Sequence, residues 1–307
     1  MKGLIISSVG SSYQIKDEQG NQVTGRLKGK LKQEGMKSNN PIAVGDYVTF
    51  EIENATQNTV VISDILEREN YLIRQSTHKK GGSQIIAANI DQAMLIVTLV
   101  LPRTSLGFID RFLVSAEAYR IPTILIFNKS DLLVGDGLVL QQELMQMYEQ
   151  IGYPCHAISA LDADDVKKLD GILEGKKTLI SGHSGVGKST LVNQIAPHLT
   201  LATGEISDYS LKGKHTTTYA QMYEIKNNTY LIDTPGIKEL GLIDMESEEI
   251  SHFFPEMRSR FGLCKFYNCT HHHEPNCAII RAVEDGEIAQ SRYESYLSMV
   301  FGEDNRK

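Results

Sequence analysis

The chain has 307 residues, a formal net charge of −7, 41% hydrophobic residues and 22% charged residues. This length is enough for two or three domains, and the composition is ordinary for a soluble globular protein. No apolar run approaches the roughly twenty residues of a membrane span, and the N-terminal stretch is too polar for a secretory signal. We therefore expect a cytoplasmic protein that does not contact a membrane.

Residues 1–66 hold five short β-rich runs that are punctuated by Gly, Asn and Asp. This pattern predicts a small barrel, for which an OB-fold is the natural candidate, and such barrels often bind oligonucleotides. The acidic net charge alone argues against a nucleic-acid partner. However, residues 26–37 read RLKGKLKQEGMK and carry five basic residues against one acidic residue. That run is either a solvated hairpin or a patch that faces phosphates.

Residues 67–90 are polar and contain a Gly-Gly pair, which predicts a mobile connection. After it, predicted strands alternate with predicted helices, which indicates a mostly parallel α/β sheet. The predicted strands are 91–100, 123–128, 154–159, 176–182, 218–225 and 229–234, and the predicted helices are 107–120, 138–152, 164–173 and 188–196. Residues 246–261 and 284–303 are predicted to be helical and flank a Cys/His cluster. We expect a multidomain protein with a barrel (1–66), an α/β domain (67–243) and a helical unit (244–307).

A phosphate-binding loop is indicated by GHSGVGKS, which fits G-x-x-x-x-G-K-[ST] between an apolar strand and a helix. The glycines allow backbone N–H groups to close around phosphates, and the helix N-terminus adds partial positive charge. Lys188 can reach the β- and γ-phosphates, and Ser189 can offer its hydroxyl to Mg²⁺. The motif consists of Gly182, His183, Ser184, Gly185, Val186, Gly187, Lys188 and Ser189.

Residues 233–236 read DTPG at the end of a predicted strand. Asp233 suits the Mg²⁺ shell through water, and Gly236 can offer its N–H to a γ-phosphate. Between the two motifs, LKGKHTTTY contains three threonines, any of which can close on Mg²⁺ and the γ-phosphate. These candidates are Thr216, Thr217 and Thr218. His215 can position water, contact a phosphate or simply be solvated.

A base-reading loop is indicated by Asn128-Lys129-Ser130-Asp131, which follows a predicted strand. The Asp131 carboxylate can accept two hydrogen bonds from the N1 and N2 donors of guanine, whereas adenine would leave it unpaired. Asn128 would support the loop, and the stem of Lys129 would lie along the base. Ser159-Ala160 follows the next strand and matches a second base-binding loop, in which a backbone N–H meets the guanine O6.

The base-reading loops precede the phosphate loop, whereas most GTPases have the opposite order, so we infer a circularly permuted GTPase. Ligand loops cluster at the carboxyl ends of strands whatever their chain order, and relinking nearby termini is tolerated. The chain leaves the α/β domain directly after DTPG, so we hypothesise that GTP and GDP hold the C-terminal unit differently.

Ile237 replaces the water-orienting glutamine of Ras-like enzymes. We therefore expect slow intrinsic hydrolysis that a partner accelerates.

A metal site is indicated by Cys264-x4-Cys269-x-His271-x5-Cys277. Three thiolates and an imidazole suit tetrahedral Zn²⁺, and four protein ligands make a structural site. On spacing alone, His272 or His273 could replace His271. A metal-free Cys-rich loop and a catalytic zinc are the alternatives. The fourth cysteine of the chain, Cys155, lies in an apolar run and is predicted to be a core residue.

The N-terminal barrel, the order NKSD, SA, GHSGVGKS, HTTT, DTPG and the Cys/His tail together resemble the ribosome small-subunit-dependent GTPase A family (RsgA type). The resemblance covers nearly the whole chain. It implies a cytoplasmic bacterial GTPase that binds the small (30S) ribosomal subunit late in its assembly and contacts 16S rRNA through its barrel and zinc unit. It also implies slow GTP hydrolysis that the subunit stimulates, and release as the subunit matures.

The resemblance further implies GTP or GDP with Mg²⁺, one structural Zn²⁺, and a nucleotide-binding segment that extends to Thr190. Lys188, Asp233, Gly236 and His215 are the candidate catalytic residues, and we expect a monomer. Some family members carry a histidine shortly after DTPG, where this chain has Asp244, so the source of water activation stays open.

Two other functions fit parts of the sequence. One is a nucleotide-gated module with negligible turnover that binds a protein partner. The other is a permuted GTPase that acts on the large subunit, but families of that kind lack this combination of barrel and Cys₃His unit. In an ATPase, the NKSD motif would have no guanine base to recognise.

Overall fold

The computed structural model describes residues 1–28, 41–54, 56–74, 84–199, 220–233 and 245–302. They form two compact units: the described parts of Met1–Met94 and Ala160–Glu239, and those of Leu95–Ser159 and Leu240–Lys307. The three-domain boundaries predicted from the sequence stay a prediction. Among the described residues, no helix has the length and apolar character that crossing a membrane requires.

The first unit begins with a closed five-stranded barrel, as predicted. Its strands are β1 (Lys2–Val9), β2 (Ser12–Asp17), β3 (Gln22–Leu27), β4 (Tyr47–Asn54) and β5 (Thr59–Ile65). β1 pairs with β2 and β4, β2 with β3, and β5 with β4, all antiparallel, while β3 and β5 are parallel. Buried side chains such as Ile5, Tyr13, Ile15, Phe50 and Ile62 fill the interior. Alternate residues of each strand face inward, which is why short alternating runs predicted the barrel.

The basic run of the barrel lies only partly within the described residues. Arg26 donates to Glu53, and Lys28 Nζ lies 3.9 Å from Glu51 Oε2. Exposed pairs of this kind contribute little to stability. Residues 29–37 lie outside the described part of the chain, so the patch that faces phosphates stays a prediction.

The prediction of a mobile connection over residues 67–90 was wrong for its described part. β6 (Tyr71–Arg74) and β7 (Gln84–Ala88) form an antiparallel pair, in which Tyr71 lies opposite Ala88. Val44 adds a bridge to Ala87. The strands YLIR and QIIAA are too short to show a period beside the polar stretch between them, so the sequence pattern missed them.

The α/β part of the first unit contains β11 (Lys177–Ser181), β12 (Gln221–Lys226) and β13 (Thr229–Asp233), together with the first residues of β8 (Gln92–Val97). Along the sheet the order is β8, β11, β13, β12, β1. β11 and β13 are parallel, and β12 is antiparallel to β13. The helices are α3 (Ala163–Lys167), α4 (Asp170–Leu173) and α5 (Lys188–Ile195), with a 3-10 turn at Pro197–Leu199. The single helix predicted over 164–173 is thus two short ones.

The barrel is joined to the α/β strands of this unit through β1 and β2. Ser7 lies opposite Gln221 in an antiparallel pairing of β1 with β12. Lys16 Nζ donates to Glu224 Oε1 at 2.6 Å and to the Tyr230 hydroxyl at 3.2 Å. These contacts join residues more than 200 positions apart, so no local pattern could have predicted them.

The second unit contains the end of β8, followed in sheet order by β9 (Thr123–Phe127) and β10 (Cys155–Ala157). β9 and β10 are parallel. Its helices are α1 (Leu106–Ala118), α2 (Asp136–Ile151), α6 (Pro255–Arg258), α7 (Ala278–Glu284) and α8 (Gln290–Val300), with 3-10 turns at Ser130–Leu132 and Ser247–Phe253. Val114 of α1 shares a buried cluster with C-terminal residues such as Phe254, Met257 and Tyr296. The helical C-terminal segment therefore packs on α1.

A buried ion network fastens the C-terminal helices within this unit. Arg292 on α8 is fully buried, and its guanidinium donates to Asp110 on α1 and to Glu256 on α6, each at 2.7 Å. Its Cζ atom lies 4.5 Å from the centroid of the Phe254 ring. The Tyr148 hydroxyl of α2 donates to Asp110 at 2.8 Å. Burial and the neighbouring Asp110 raise the pKa of Tyr148 well above its usual value, so it stays a neutral donor.

Candidate nucleotide site and metal centre

The phosphate loop connects the buried strand β11 to the N-terminus of α5. Gly182, Gly185 and Gly187 have φ values of 145°, 84° and 98°. Residues other than glycine rarely adopt such angles, which explains why the turn needs these three glycines. The side chain of Val186 is buried, so only its backbone can face a ligand. His183, Ser184, Ser189 and Thr190 lie on the same loop and first helical turn, where they are at least partly exposed.

Lys188, the first residue of α5, reaches back across the loop. Its Nζ donates to the carbonyl oxygens of Gly182 at 2.7 Å and His183 at 2.6 Å. The positive charge is therefore held at the loop that the sequence assigns to phosphates. A cation here, next to a helix N-terminus, is the arrangement that stabilises bound phosphate groups.

Asp233 ends the strand adjacent to β11. Its Cα is paired with that of Ile180 in the parallel β11–β13 ladder. Because parallel strands end at the same edge of a sheet, Asp233 and the start of the phosphate loop lie at one edge of this unit. The other candidates of this group, His215, Thr216, Thr217, Thr218, Gly236 and Ile237, lie outside the described residues.

The base-reading loop belongs to the second unit and follows β9. Asn128 is buried, Lys129 adopts a left-handed conformation with φ of 63°, and Asp131 is exposed. The left-handed residue reverses the chain at the strand end, so that Asp131 is presented outward. The Lys129 ammonium donates to the Leu101 carbonyl.

Ser130 holds this loop in place. Its N–H donates to the Ile158 carbonyl at 3.1 Å, and its hydroxyl donates to the Phe127 carbonyl at 3.1 Å. Gln141 on α2 donates to the same hydroxyl at 2.8 Å. The sequence pattern did not reveal the role of Gln141, because its burial on α2 is known only from the fold.

The predicted second base loop begins at the end of β10. Cys155 and Ala157 pair with Leu125 and Phe127 of the parallel β9. Ser159 and Ala160, both buried, follow directly. The structure thus places this dipeptide one β–α unit after Asn128, and the hydrogen bond from Ser130 to Ile158 fixes the two loops to each other.

Four predicted metal ligands converge in the second unit. The ligand atoms of Cys264, Cys269, His271 and Cys277 all lie within 4.8 Å of one another. Cys264 Sγ is 3.9 Å from Cys277 Sγ, and the His271 Nδ1 is 3.6 Å from Cys264 Sγ and 3.4 Å from Cys277 Sγ. A tetrahedral zinc with bonds of about 2.3 Å to sulfur separates two sulfurs by about 3.8 Å. The donor set therefore fits tetrahedral zinc.

His271, rather than either neighbouring histidine, completes this cluster. His271 is buried with φ of 56°, whereas His272 and His273 are exposed. Burial lowers the pKa of His271, which favours the neutral imidazole that a metal requires. The spacing also allowed His272 or His273 as the fourth ligand, but the fold places His271 in the cluster.

Glu274 organises the loop that carries His271. Its carboxylate accepts hydrogen bonds from the backbone N–H groups of Thr270 at 2.8 Å, His272 at 3.0 Å and His273 at 3.2 Å. Burial alone would raise the pKa of Glu274, but these bonds and the Thr270 hydroxyl together hold it well below its usual value. The Glu274 carboxylate therefore stays ionised and holds these three backbone N–H groups close together.

Two tyrosines of α8 support the same loop from the other side. The hydroxyl of Tyr293 donates to the His271 carbonyl, and that of Tyr296 donates to the Thr270 carbonyl, each at 2.7 Å. Support of this kind orients metal ligands. No sequence pattern indicates this support, because tyrosines on an amphipathic helix are typical of ordinary core residues.

The cysteines allow a test of the metal centre with an internal control. If the cluster holds zinc, treatment with a strong chelator is expected to make the thiols of Cys264, Cys269 and Cys277 react with a thiol dye, because they would no longer be metal-bound thiolates. Cys155 is buried in β10, and burial raises its pKa to about 12, so it should stay unreactive until the protein is unfolded. Metal analysis should give one zinc per chain beforehand. Equal reaction with and without the chelator would contradict a zinc centre.

Comparisons with known proteins agree with this arrangement. A family model described as RsgA GTPase matches residues 65–243, and one described as RsgA N-terminal domain matches residues 2–60. A Phocaeicola vulgatus protein named small ribosomal subunit biogenesis GTPase RsgA is 52% identical over 303 residues, which is 98% of this chain and 96% of the relative. A Bacteroides fragilis protein of the same name is 50% identical over 300 residues, again 98% and 96%.

Solved structures show the same similarity. The crystal structure of YjeQ from Thermotoga maritima matches with a TM-score of 0.80 and 36% identity, covering 100% of this chain and 99% of the other. The crystal structure of YloQ, described as a circularly permuted GTPase, matches with a TM-score of 0.78 and 32% identity, covering 100% and 96%. A base-reading loop that precedes the phosphate loop is the order that such a permutation produces. With both family models and full-length relatives in agreement, the chain belongs to the RsgA GTPase family.

Proposed function

We propose that this GTPase binds the small ribosomal subunit, hydrolyses GTP during late maturation of that subunit, and is released as the subunit matures. The observation that carries the proposal is the full-length match to relatives named for small-subunit biogenesis, which includes the barrel and the Cys₃His unit. A cytoplasmic monomer suits such a role. The contacts with 16S rRNA would come from the barrel and the metal-bearing unit.

The phosphate loop would bind the phosphates of GTP. In this proposal the backbone N–H groups from Gly182 to Thr190 hold the β- and γ-phosphates, and Lys188 neutralises the charge that develops during transfer. Ser189 would offer its hydroxyl to Mg²⁺, and Asp233 would help to hold the ion through water. The Mg²⁺ ion supplies electrostatic stabilisation of the phosphate oxygens. The short contacts of Lys188 within the loop support this role.

Residues near the γ-phosphate would act as switches. We propose that Thr217 or Thr218 closes on Mg²⁺, that Gly236 donates its N–H to the γ-phosphate, and that His215 contributes to the catalytic geometry. Ile237 cannot orient water because it has no polar side-chain atom. The subunit would therefore have to order these segments before hydrolysis becomes fast.

Asp131 would select guanine. Replacing it with asparagine is expected to shift preference from guanine towards xanthine nucleotides, because the amide can donate to the extra carbonyl of xanthine but cannot accept from both guanine donors. Competition binding with GTP and XTP measures the change. Asp136→Asn is the matched control, since Asp136 is an exposed carboxylate at the start of α2. Unchanged guanine preference in Asp131→Asn would reject the assignment.

The zinc site would have a structural role. Cys264, Cys269, His271 and Cys277 supply all four positions of a tetrahedral ion, which leaves none for a substrate. Zinc would then hold the segment between α6 and α7 in the shape that meets the subunit.

Binding to purified small subunits tests the proposed function. A slowly hydrolysed GTP analogue should give tighter binding than GDP, and the affinity should fall steeply as salt rises, because contacts with RNA phosphates displace counterions. Binding to large subunits would point to the other permuted GTPases. An affinity that does not change with salt concentration would point to a protein-binding module. Binding to large subunits or a salt-independent affinity would each overturn the proposal.

A further inference from the structure

The segment between the first two metal ligands exposes aromatic side chains. We call residues 265–268, with the sequence KFYN, the aromatic loop. Within it, the relative exposure of Tyr267 is 108% and that of Phe266 is 40%, and the preceding Leu263 is 68% exposed. Large side chains that are exposed close together on one loop make that loop a candidate interaction site.

The aromatic loop is held at both ends. Cys264 and Cys269 flank it, and both belong to the cluster of metal ligands whose atoms lie within 4.8 Å of one another. The loop therefore needs little ordering when a partner binds, and less conformational entropy is lost. An exposed tyrosine on an anchored loop is a preformed surface, in contrast to a flexible tail.

The charge around the loop selects the kind of partner. Residues 258–273 read RSRFGLCKFYNCTHHH, with three basic residues and no acidic one, in a chain whose net charge is −7. Arg258 and Arg260 are paired with Glu117 and Glu287. The Lys265 Nζ instead lies 5.3 Å from the centroid of the Phe266 ring. A lysine beside projecting aromatic rings suits a nucleobase joined to a phosphate, because the ring stacks on the base and the ammonium pairs with the phosphate.

We propose that the aromatic loop is a stacking platform for single-stranded RNA. Tyr267 would stack on one unpaired base, and Lys265 would contact the adjacent phosphate. Stacking does not depend on base identity, so the platform would recognise an unpaired nucleotide rather than a sequence. The identification of this RNA as part of the small subunit rests on the proposed function, but the stacking itself does not.

Binding of a labelled single-stranded RNA of about ten nucleotides, a length typical of such sites, tests the platform. Tyr267→Ala should weaken binding about 5- to 100-fold, whereas Tyr267→Phe, which keeps the ring, should stay close to the unchanged protein. Val139→Ala removes an exposed apolar side chain from α2 and should have no effect. Zinc content and melting temperature verify that each variant is folded. Equal RNA affinity for Tyr267→Ala and the unchanged protein would overturn the proposal.

A spectroscopic variant reports the stacking directly. The chain contains no tryptophan, so Tyr267→Trp introduces a single one. Its fluorescence should be quenched when the single-stranded RNA binds, while that of Val139→Trp should not change. No quenching of Tyr267→Trp, or equal quenching by a perfect duplex, would overturn the proposal. Binding of the unchanged protein to small subunits is measured in parallel. If RNA quenches Tyr267→Trp but the unchanged protein does not bind small subunits, the proposed function is rejected while the stacking platform is still supported.

Discussion

Replacing Lys188 with alanine is expected to slow GTP hydrolysis by about 10²- to 10³-fold, which is the usual loss when one preorganised electrostatic donor is removed from an active site. The reason lies in the position of the ammonium group. It is held over the phosphate loop by the carbonyls of Gly182 and His183, at 2.7 and 2.6 Å. Alanine leaves the loop glycines in place but removes the charge that, in the proposed site, would meet the β- and γ-phosphates.

Lys226→Ala is the matched control for this experiment, because Lys226 is an exposed lysine at the end of β12 in the same unit. Single-turnover hydrolysis at saturating GTP separates the chemical step from nucleotide affinity. The control should hydrolyse GTP at the unchanged rate. A Lys188→Ala protein that hydrolyses GTP within a few-fold of that rate would show that the loop does not hold the reacting phosphates.

Replacing Arg292 with alanine is expected to lower the free energy of unfolding of its unit by about 3–5 kcal/mol, the usual cost of breaking a buried ion pair. Arg292 is fully buried and bonded to Asp110 and Glu256. Without it, two carboxylates stay in the interior with no cation. Asp110 would keep the hydrogen bond from the Tyr148 hydroxyl, but a neutral donor does not replace the lost cation, and the Asp110 Oδ2 atom has no hydrogen-bond partner among the described residues.

Arg258→Ala provides the comparison, since its pair with Glu117 lies in the same unit but is partly exposed. Such a pair is worth at most about 1 kcal/mol. Urea unfolding, followed by circular dichroism, measures both variants. If the buried ion network stabilises this unit, Arg292→Ala must be much less stable than Arg258→Ala. A triple variant in which Arg292→Met is combined with Asp110→Asn and Glu256→Gln should regain part of the loss, because no uncompensated charge stays buried.

The sequence predicted those parts of the protein that depend on local chemistry. The phosphate loop needs glycines at positive φ and a Lys-Ser pair at a helix start, and the metal centre needs thiols and an imidazole at close spacing. Both requirements leave a pattern within fewer than fifteen consecutive residues. The alternation of short strands also predicted the barrel, because each inward position must be apolar.

Contacts between distant parts of the chain left no such pattern. Arg292 reads as a solvated residue on an amphipathic helix, and its burial depends on Asp110, which lies 182 positions earlier. The pairing of Ser7 with Gln221 is equally distant. Glu274 lies next to the ligands, yet its role as the acceptor that shapes their loop depends on backbone geometry that composition does not encode. The proposed dependence of the C-terminal unit on GTP or GDP stays a prediction.

Steady-state GTP hydrolysis shows whether this permuted GTPase acts on the small ribosomal subunit. The rate is measured for the protein alone, with purified small subunits and with purified large subunits. We predict slow hydrolysis alone, marked stimulation by small subunits and none by large subunits, and no stimulation of Lys188→Ala. Stimulation by large subunits, or by neither subunit while GTP binding is intact, would show that the protein does not act on the small subunit in this way.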